Sequence, residues 1–534
     1  MRVLYNYQID GRQLGDNEII KRILESRKIN DFDRFFRPPP ENLIPLSKLK
    51  NIDKAYDMIC EAKQLGYRVL IVADNDVDGV TSSAIMYRYL RQIMPHRQIS
   101  YTIQSGKVHG IENFDVPDGN AGLLIIVDSI NEESDYTKFV RAGWRVLCLD
   151  HHMVPDSVLN DSENLGDDFV LVSSANDYPN PQLSGAGVCL KFCMYIDYNL
   201  LTYYANDMYD LAACGIVADV SSMLSPENRY IVSNGLNNVN NYGIKKIIGS
   251  YEFNTSAIAF SIAPLVNACV RMENNDIAAK IFAEDDVDVV DECVKKGKKL
   301  KDEQVNIISK LMPDIERQID EQQNDRTIIV EIDKQYKNLT GVIANRILGN
   351  MQRPVIVYHK SDDGSCAGSM RAVGVDDFTK YVNKYEYASC KGHELSAGFK
   401  CAPNKITVLK ANLEQDLQDI EQTKTLMCDI LLNPNQITAD LIRNIKIINR
   451  VSGKDFEPVN IMVRSDNFVV SCFKGGQHLK VIDETGVLYI KWNDDTYEKW
   501  DCAKHIVCVG TPDVAYYGKQ KYIQLILDYY EFSF

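Results

Sequence analysis

Five short and almost continuous apolar runs between residues 67 and 174 predict buried β-strands. In chain order they are YRVLIVAD, QISYTI, LLIIVD, RVLCLD and FVLVSS. Runs of this kind are typical of strands that are covered on both faces of a parallel sheet. After the first run, Val80, Ala84, Tyr87 and Leu90 recur at helical spacing. The series therefore alternates strands with helices and predicts a doubly wound α/β sheet.

The rest of the chain predicts three further regions. Residues 17–62 have the pattern of short helices, interrupted by FRPPPENLIP, and residues 201–322 are mostly helical. A second α/β unit follows, with TIIVEID and RPVIVYHK as strands and LTGVIANRILGN as the helix between them. Beyond about residue 425 the segments are strand-like and predict a small closed β-barrel. They are VNIMVRS, NFVVSCF, HLKVIDETGVLYIKW, KHIVCVG and KYIQLILDYYEF.

Composition restricts the class of protein. With 534 residues, 45% of them hydrophobic and 25% charged, the chain is expected to fold into about three globular domains. A net charge of −15 argues against a general basic coat for nucleic acid. The 14 cysteines include no C-x-x-C pair, so neither a zinc ribbon nor a thioredoxin-type site is indicated. Reduced thiols, no signal segment and no long apolar stretch together predict a cytoplasmic protein without membrane contact.

Carboxylates follow three of the predicted strands, at Asp74, Asp128 and Asp150. Ligands of open parallel sheets bind outside the carboxyl ends of the strands, so these groups should converge. The full expected cluster is Asp74, Asp76, Asp78, Asp128, Asp150, His151 and His152. Such a cluster repels itself unless cations occupy it, and oxygen-rich ligands with imidazoles suit Mn²⁺ or Mg²⁺. Two such ions about 3.5–4 Å apart would hydrolyse a phosphate ester.

Two other interpretations of these aspartates remain. The D-x-D-x-D-G pattern resembles the start of a calcium loop, but Ile85 stands where that loop needs glutamate. A single aspartate at a strand end also commonly caps the next helix. Three strand ends with adjacent histidines favour the metal site.

At these residues the sequence resembles the DHH phosphoesterase superfamily, and within it the RecJ-type single-strand-specific exonucleases. ADNDVDGVTSSA, LLIIVDSI, LDHHMVP and CGIVADVSSM are similar to the four motifs of the superfamily. The resemblance implies five metal ligands: Asp76, Asp78, Asp128, His151 and Asp219. It makes Asp74, Asp150 and His152 close supporting groups that bind metal or orient the ligands and the scissile phosphate.

The likeness continues along the chain. LSPENRYIVSNGL and IAPLVNACVRM are similar to later RecJ segments, and TGVIANRIL, RPVIVY, GSMR and KGHELSAGF resemble the DHH-associated domain. The carboxyl-terminal barrel with QHLKV resembles an OB-fold. The implied organisation is a helical cap over 1–62, a DHH catalytic domain over 63–272, connecting helices over 273–323, a DHH-associated α/β domain over 324–425 and an OB-fold nucleic-acid-binding domain over 426–534.

The later motifs also imply substrate contacts. The resemblance assigns His393 to the metal cleft, Ser369 and Arg371 to a substrate phosphate, and Asn267 and Arg271 to the same task. Some motifs depart from the family pattern: the G-G-H element is KGH here, and QSGKVHGI stands where the family has an arginine. Either Lys107 or His109 could replace that positive charge.

Two further features have two interpretations each. Tyr516 and Tyr517, beside Lys519 and Lys521, could stack on bases, although strand aromatics more often fill a core. The five lysines between residues 295 and 301 could face phosphates, but a solvated helix face is the better expectation.

The resemblance implies a monomeric exonuclease that degrades single-stranded DNA from 5′ to 3′, releases 5′-mononucleotides and uses two Mn²⁺ or Mg²⁺ ions. It would act in DNA repair and recombination, with a single-strand-binding protein and a helicase as candidate partners. Two alternatives remain open: a DHH phosphodiesterase that acts on short oligonucleotides or cyclic dinucleotides, and a non-catalytic replication scaffold.

Overall fold

The computed structural model describes most of the chain. The described residues are 2–104, 110–112, 114–117, 122–131, 133–154, 158, 165–175, 177–420, 423–473, 475–476, 478–492, 494, 496–500, 503–517 and 520–533. The chain divides into two compact units. The large unit comprises Tyr7–Lys299 and Cys428–Phe534, and the small unit comprises Leu300–Met427 with the first six residues.

The described elements are 18 strands and 17 α-helices. The strands are β1 (Arg2–Asp10), β2 (Arg68–Ala73), β3 (Ile99–Ile103), β4 (Gly122–Val127), β5 (Arg145–Asp150), β6 (Phe169–Ser173), β7 (Ile328–Glu331), β8 (Val355–Lys360), β9 (Cys366–Arg371), β10 (Ala388–His393), β11 (Ser396–Cys401), β12 (Thr423–Leu432), β13 (Ile461–Ser465), β14 (Phe468–Phe473), β15 (His478–Asp483), β16 (Leu488–Lys491), β17 (His505–Tyr517) and β18 (Gln520–Ser533). The helices are α1 (Asp16–Ser26), α2 (Phe32–Phe36), α3 (Ile52–Leu65), α4 (Val77–Ile93), α5 (Glu133–Arg141), α6 (Gly185–Leu200), α7 (Tyr209–Ala218), α8 (Pro226–Asn237), α9 (Tyr242–Ile248), α10 (Thr255–Ala257), α11 (Ala263–Arg271), α12 (Asn275–Ala283), α13 (Val287–Asp320), α14 (Thr340–Met351), α15 (Phe378–Asn383), α16 (Ile406–Asp416) and α17 (Ala439–Asn449).

The five apolar runs form the expected parallel sheet in the large unit. Its strand order is β3-β2-β4-β5-β6, and every neighbouring pair is parallel. All six residues of β4, the middle strand, are buried. Ala73 pairs with Val127, and Val127 pairs with Leu149. Because these strands end in register, the residues that follow them lie along one edge of the sheet.

The small unit contains a second five-stranded sheet, in the order β10-β11-β9-β8-β7. The predicted strands β7 and β8 and the predicted helix α14 are present. Strands β9, β10 and β11 form an antiparallel extension that the sequence pattern did not indicate as strands.

The carboxyl-terminal strands belong to an eight-stranded sheet with the order β1-β12-β13-β17-β18-β16-β15-β14. The strand-like segments all appear in it, and HLKVIDETGVLYIKW divides into β15 and β16. The architecture is consistent with an OB-like domain. β1 departs from the helical cap expected over 1–62, because its residues pair with β12 as an edge strand of this sheet.

The lysine-rich segment lies in α13, a helix of 34 residues. Lys295, Lys296 and Lys298 are exposed, in agreement with a solvated face. No helix in the described part of the chain is long and apolar enough to span a bilayer.

Candidate metal centre and phosphate-binding residues

Three strands of the parallel sheet deliver carboxylates to one edge. Asp74 follows β2, Asp128 follows β4, and Asp150 is the last residue of β5. Asp128 has a positive φ of 57°, a conformation that aspartate tolerates better than most residues. Its backbone N–H donates to the Leu149 carbonyl at 2.9 Å, which ties the turn to the next strand. The carboxylate is thereby turned into the edge of the sheet.

His151 lies at the centre of the cluster. Its Nε2 is 3.1 Å from Asp128 Oδ1 and 3.8 Å from Asp78 Oδ2. Its Nδ1 is 3.8 Å from Asp219 Oδ2. Beside it, His152 Nδ1 and Asp150 Oδ1 form a hydrogen bond of 2.9 Å. The structure therefore brings together side chains from four separate sequence motifs.

The carboxylate of Asp78 is fixed by the amino-terminal end of α6. Ser184 Oγ and the Ala186 N–H donate to its Oδ1 at 2.9 and 3.0 Å, and the Gly185 N–H donates to its Oδ2 at 2.7 Å. Gly215 of α7 packs so closely that a Cβ there would lie 2.2 Å from Asp78 Oδ1. The sequence interpretation missed these contacts, although Ser-Gly-Ala-Gly before an apolar helix is a capping signature.

Asp76 caps a helix, which the sequence presented as the alternative to metal binding. It is the N-cap of α4, and its Oδ1 accepts a hydrogen bond of 3.0 Å from the Gly79 N–H. Asp76 is exposed to solvent. Surrounding protein atoms displace part of its water, and Asp74 and Asp78 lie near it, so its pKa rises to about 6. Capping one helix leaves its second oxygen available to a ligand.

Burial and mutual repulsion disfavour the ionised form of two carboxyls in the cluster. The pKa of Asp128 is raised well above its ordinary value, mainly by burial and then by Asp78. The pKa of Asp219 rises to about 7 for the same two reasons, partly opposed by His151. Without a cation, this edge of the sheet is therefore electrostatically strained.

The neighbouring Asp150–His152 pair behaves in the opposite way. Burial opposes the ionised form of both residues, but their mutual attraction and hydrogen bond prevail. The pKa of Asp150 is consequently lowered, and that of His152 rises to about 9. His152 is therefore a cation near neutral pH, with half of its side chain exposed.

The donor set fits a divalent metal ion. Asp128 Oδ1 and Asp150 Oδ2 are buried and accept no hydrogen bond from any described residue. The approach of His151 Nε2 to Asp128 Oδ1 lacks hydrogen-bond geometry, as expected of two atoms that share a cation rather than a proton. Two overlapping groups have ligand atoms within 4.8 Å of one another: Asp128, Asp150, His151 and His152, and Asp78, His151 and Asp219. Carboxylates with one or two imidazoles suit Mn²⁺ or Mg²⁺.

Helix α11 carries two of the expected phosphate contacts. Asn267 and Arg271 are four residues apart, on one face of the helix, and both are partly exposed. The opposite face is buried, with Leu265 and Cys269 close to Gly297 of α13. The packing of α11 thus leaves Asn267 and Arg271 on its partly exposed face.

In the small unit, adjacent strands bring together the remaining expected residues. Ser396 of β11 pairs with Arg371 on one side and with His393 on the other. Ser369 Oγ is 2.9 Å from Thr340 Oγ1, and a Cβ at Gly341 would lie 3.1 Å from the Arg371 guanidinium. Burial lowers the pKa of Arg371. A cation and hydroxyls at the start of α14 make an arrangement suited to an anion.

The structure describes only some of the remaining residues that were predicted to contact DNA. Lys107, His109 and Lys519 lie outside the described residues. Tyr516 is 68% exposed and accessible, whereas the side chain of Tyr517 is not described.

Comparisons with known proteins agree with this site. Residues 68–216 match the DHH family, N-terminal domain. The chain is 28% identical over 460 residues to YorK of Bacillus subtilis (strain 168), an SPbeta prophage-derived protein named as a single-strand DNA-specific exonuclease, and the match covers 77% of this chain and 78% of YorK. It is 24% identical over 489 residues, 82% of each chain, to the single-stranded-DNA-specific exonuclease RecJ of Haemophilus influenzae.

The fold is that of a solved RecJ. The crystal structure of RecJ from Thermus thermophilus in complex with Mn²⁺ matches with a TM-score of 0.80 at 20% identity, over 99% of this chain and 80% of that one. The same protein has also been solved with Mg²⁺, and that structure matches with a TM-score of 0.75. Residues 68–216 thus match a DHH-family domain, and over most of its length the chain is similar in sequence and in fold to proteins of the RecJ type.

Proposed function

We propose that the protein is a metal-dependent exonuclease that degrades single-stranded DNA from its 5′ end and releases 5′-mononucleotides. Mn²⁺ or Mg²⁺ would occupy the cluster as two ions. The observation that carries the proposal is the convergence of Asp78, Asp128 and Asp219 on His151. Relatives named as single-strand-specific exonucleases, which match over most of their length, support the choice of substrate.

Five residues would hold the ions: Asp76, Asp78, Asp128, His151 and Asp219. When bound, two such ions supply an activated water and stabilise the leaving oxygen of a phosphodiester. Asp74 would support this set from the end of β2. The hydrogen bonds from α6 keep Asp78 in one orientation, which limits reorganisation during the reaction.

The Asp150–His152 pair would serve the phosphate itself. Asp150 holds the imidazole through Nδ1 and favours its protonated form, in which Nε2 can donate to a phosphate oxygen. Asn267 and Arg271 would add a neutral and a charged donor from α11. These three side chains would stabilise the negative charge that grows on the phosphate oxygens.

In the small unit, Ser369, Arg371 and His393 would bind a further phosphate of the substrate. A bidentate guanidinium suits a terminal phosphate, which carries more charge than a phosphodiester. Arg371→Ala should therefore weaken hydrolysis of a 5′-phosphorylated strand more than that of a 5′-hydroxyl strand. If Arg371→Ala slowed hydrolysis of both strands equally, Arg371 would not recognise the terminal phosphate.

The OB-like domain would hold the single strand beyond the reacting end, with Tyr516 as a candidate stacking residue. The biological role would be DNA repair and recombination, where a helicase and a single-strand-binding protein could supply and coat the strand. Tyr516→Ala, at an exposed position of this domain, should weaken binding of long strands more than hydrolysis of dinucleotides.

The test is a substrate panel in Mn²⁺ with the wild type and Asp128→Ala. The wild type should degrade long single strands and leave a blunt duplex intact, and Asp128→Ala should be inactive on both. If dinucleotides or cyclic dinucleotides are consumed while long strands persist, the short-substrate phosphodiesterase is the correct function. If nothing is consumed, a non-catalytic scaffold is the correct one.

A further inference from the structure

Val220, which follows Asp219, has an unfavourable backbone conformation. Its φ is 57°, in the left-handed region, at the carboxyl-terminal end of α7. The Ser221 N–H closes the helix on the Ile216 carbonyl at 3.1 Å, as in a Schellman motif. Glycine is the usual residue at this position, and a β-branched residue there is a genuine outlier. The chain thus keeps a strained isopropyl group next to its metal cluster.

A second exposed apolar side chain follows the two histidines of the cluster in the chain. Met153 follows His151 and His152, and it is 78% exposed, while Val220 is 59% exposed. The Asp219 and His151 side chains approach to 3.8 Å, so the two apolar residues are close chain neighbours of one pair of side chains in the cluster. Both therefore present apolar surface to solvent, and each is within two residues of a charged or imidazole side chain of the cluster.

Val220 and Met153 cannot bind phosphate, but apolar side chains suit the aromatic base of a nucleotide. We propose that Val220 and Met153 contact the base of the nucleotide whose phosphodiester is hydrolysed. They would position that nucleotide against the cluster and favour a nucleotide over a bare sugar phosphate. This inference rests on the proposed function. The favoured glycine at position 220 would offer no such contact surface.

Leu201 provides a matched control. It also has a left-handed φ, 55°, at the end of a helix, with the Thr202 N–H bonded to the Asp197 carbonyl at 3.0 Å. It is apolar and 86% exposed. Helix α6 is about 24 Å long at 1.5 Å per residue, and its other end holds Asp78, so Leu201 is remote from the cluster. Leu201→Gly relieves the same kind of strain without touching the site.

The experiment compares the binding of thymidine 5′-monophosphate and 2-deoxyribose 5-phosphate by calorimetry in Mn²⁺. We expect the wild type and Leu201→Gly to bind the nucleotide about tenfold more tightly, the size expected for burying a half-exposed isopropyl group. Val220→Gly should reduce that ratio to about twofold or less, and Met153→Ala should reduce it in the same direction. The unfolding temperature of Val220→Gly should be no lower than that of the wild type, because glycine relieves the strain.

Two results would overturn the inference: a wild type that binds both ligands alike, or a Val220→Gly variant that keeps the wild-type ratio. Strand hydrolysis by the wild type is measured in parallel. If the wild type hydrolyses single strands and the ratio does not change in Val220→Gly, the inference fails and the proposed function stands. If the wild type hydrolyses no strand, the proposed function fails, and the inference fails with it.

Discussion

Replacing Asp219 by asparagine should make the protein more stable than the wild type when metal is absent. When metal is present, the variant should be less stable than the wild type. The pKa of this carboxyl is about 7 in the folded chain against an ordinary value of 3.8, because it is buried next to Asp78. The folded state therefore binds a proton more tightly than the unfolded chain does. Stability is greatest at low pH and is lost as pH rises from about 4 to about 7.

The size of the effect follows from the difference between the two pKa values. About three pH units correspond to roughly 4 kcal/mol once the carboxyl is fully ionised. Asparagine removes this cost but also loses the attraction to His151, and it alters the hydrogen bond from Ser221. We therefore expect Asp219→Asn to raise the free energy of unfolding at pH 8 in EDTA by about 2–3 kcal/mol.

The assay is urea denaturation in EDTA at pH 5.5 and pH 8, followed by circular dichroism and repeated with Mn²⁺. Without metal, the wild type should lose stability between the two pH values and the variant should lose less. With Mn²⁺ the order should reverse, because a bound ion stabilises only a site that retains its ligands. The control Asp57→Asn, at an exposed position on α3, should behave as the wild type. A variant that is less stable than the wild type in EDTA at pH 8 would refute the electrostatic reasoning.

Two packing predictions can be checked in the same assays. Gly215→Ala should lower both stability and Mn²⁺ affinity, since the new methyl group would collide with Asp78, whereas Gly349→Ala meets open space and should be neutral or stabilising. Lys191→Met should cost about 3–5 kcal/mol, because it leaves Glu227 charged and buried without the ammonium that lies 2.5 Å away. Adding Glu227→Leu to Lys191→Met should recover part of that loss. If Lys191→Met alone left the free energy of unfolding unchanged, the buried Lys191–Glu227 ion pair would be contradicted.

The parallel sheet could be predicted because each of its strands is a short apolar run that is recognisable from its own residues. β4 is buried at every position, and an apolar run bounded by polar residues records that environment locally. β9 to β11 contain Ser, Gly and Lys, and they become strands only by pairing outward from β8. β1 belongs to a sheet whose other strands begin more than 400 residues later in the chain, so no local pattern could assign it.

The candidate site shows the same division. Aspartates at strand ends and the DHH sequence were sufficient to predict which side chains converge. Sequence could not predict what holds them, such as the α6 N–H groups on Asp78 or the close approach of Gly215, since these depend on how three helices pack. Tyr489 of β16 shows why aromatic residues on strands are poor indicators of base stacking: it is fully buried and donates to Asp483 at 2.6 Å.

The most direct test of the central claim is product analysis with end-labelled single strands in Mn²⁺. The wild type should convert a 5′-labelled strand to labelled mononucleotide from the first turnovers, and a 3′-labelled strand should shorten progressively. Asp128→Ala should produce neither product. Internal fragments, labelled mononucleotide that appears first from the 3′ end, or undiminished cleavage by Asp128→Ala would contradict the account.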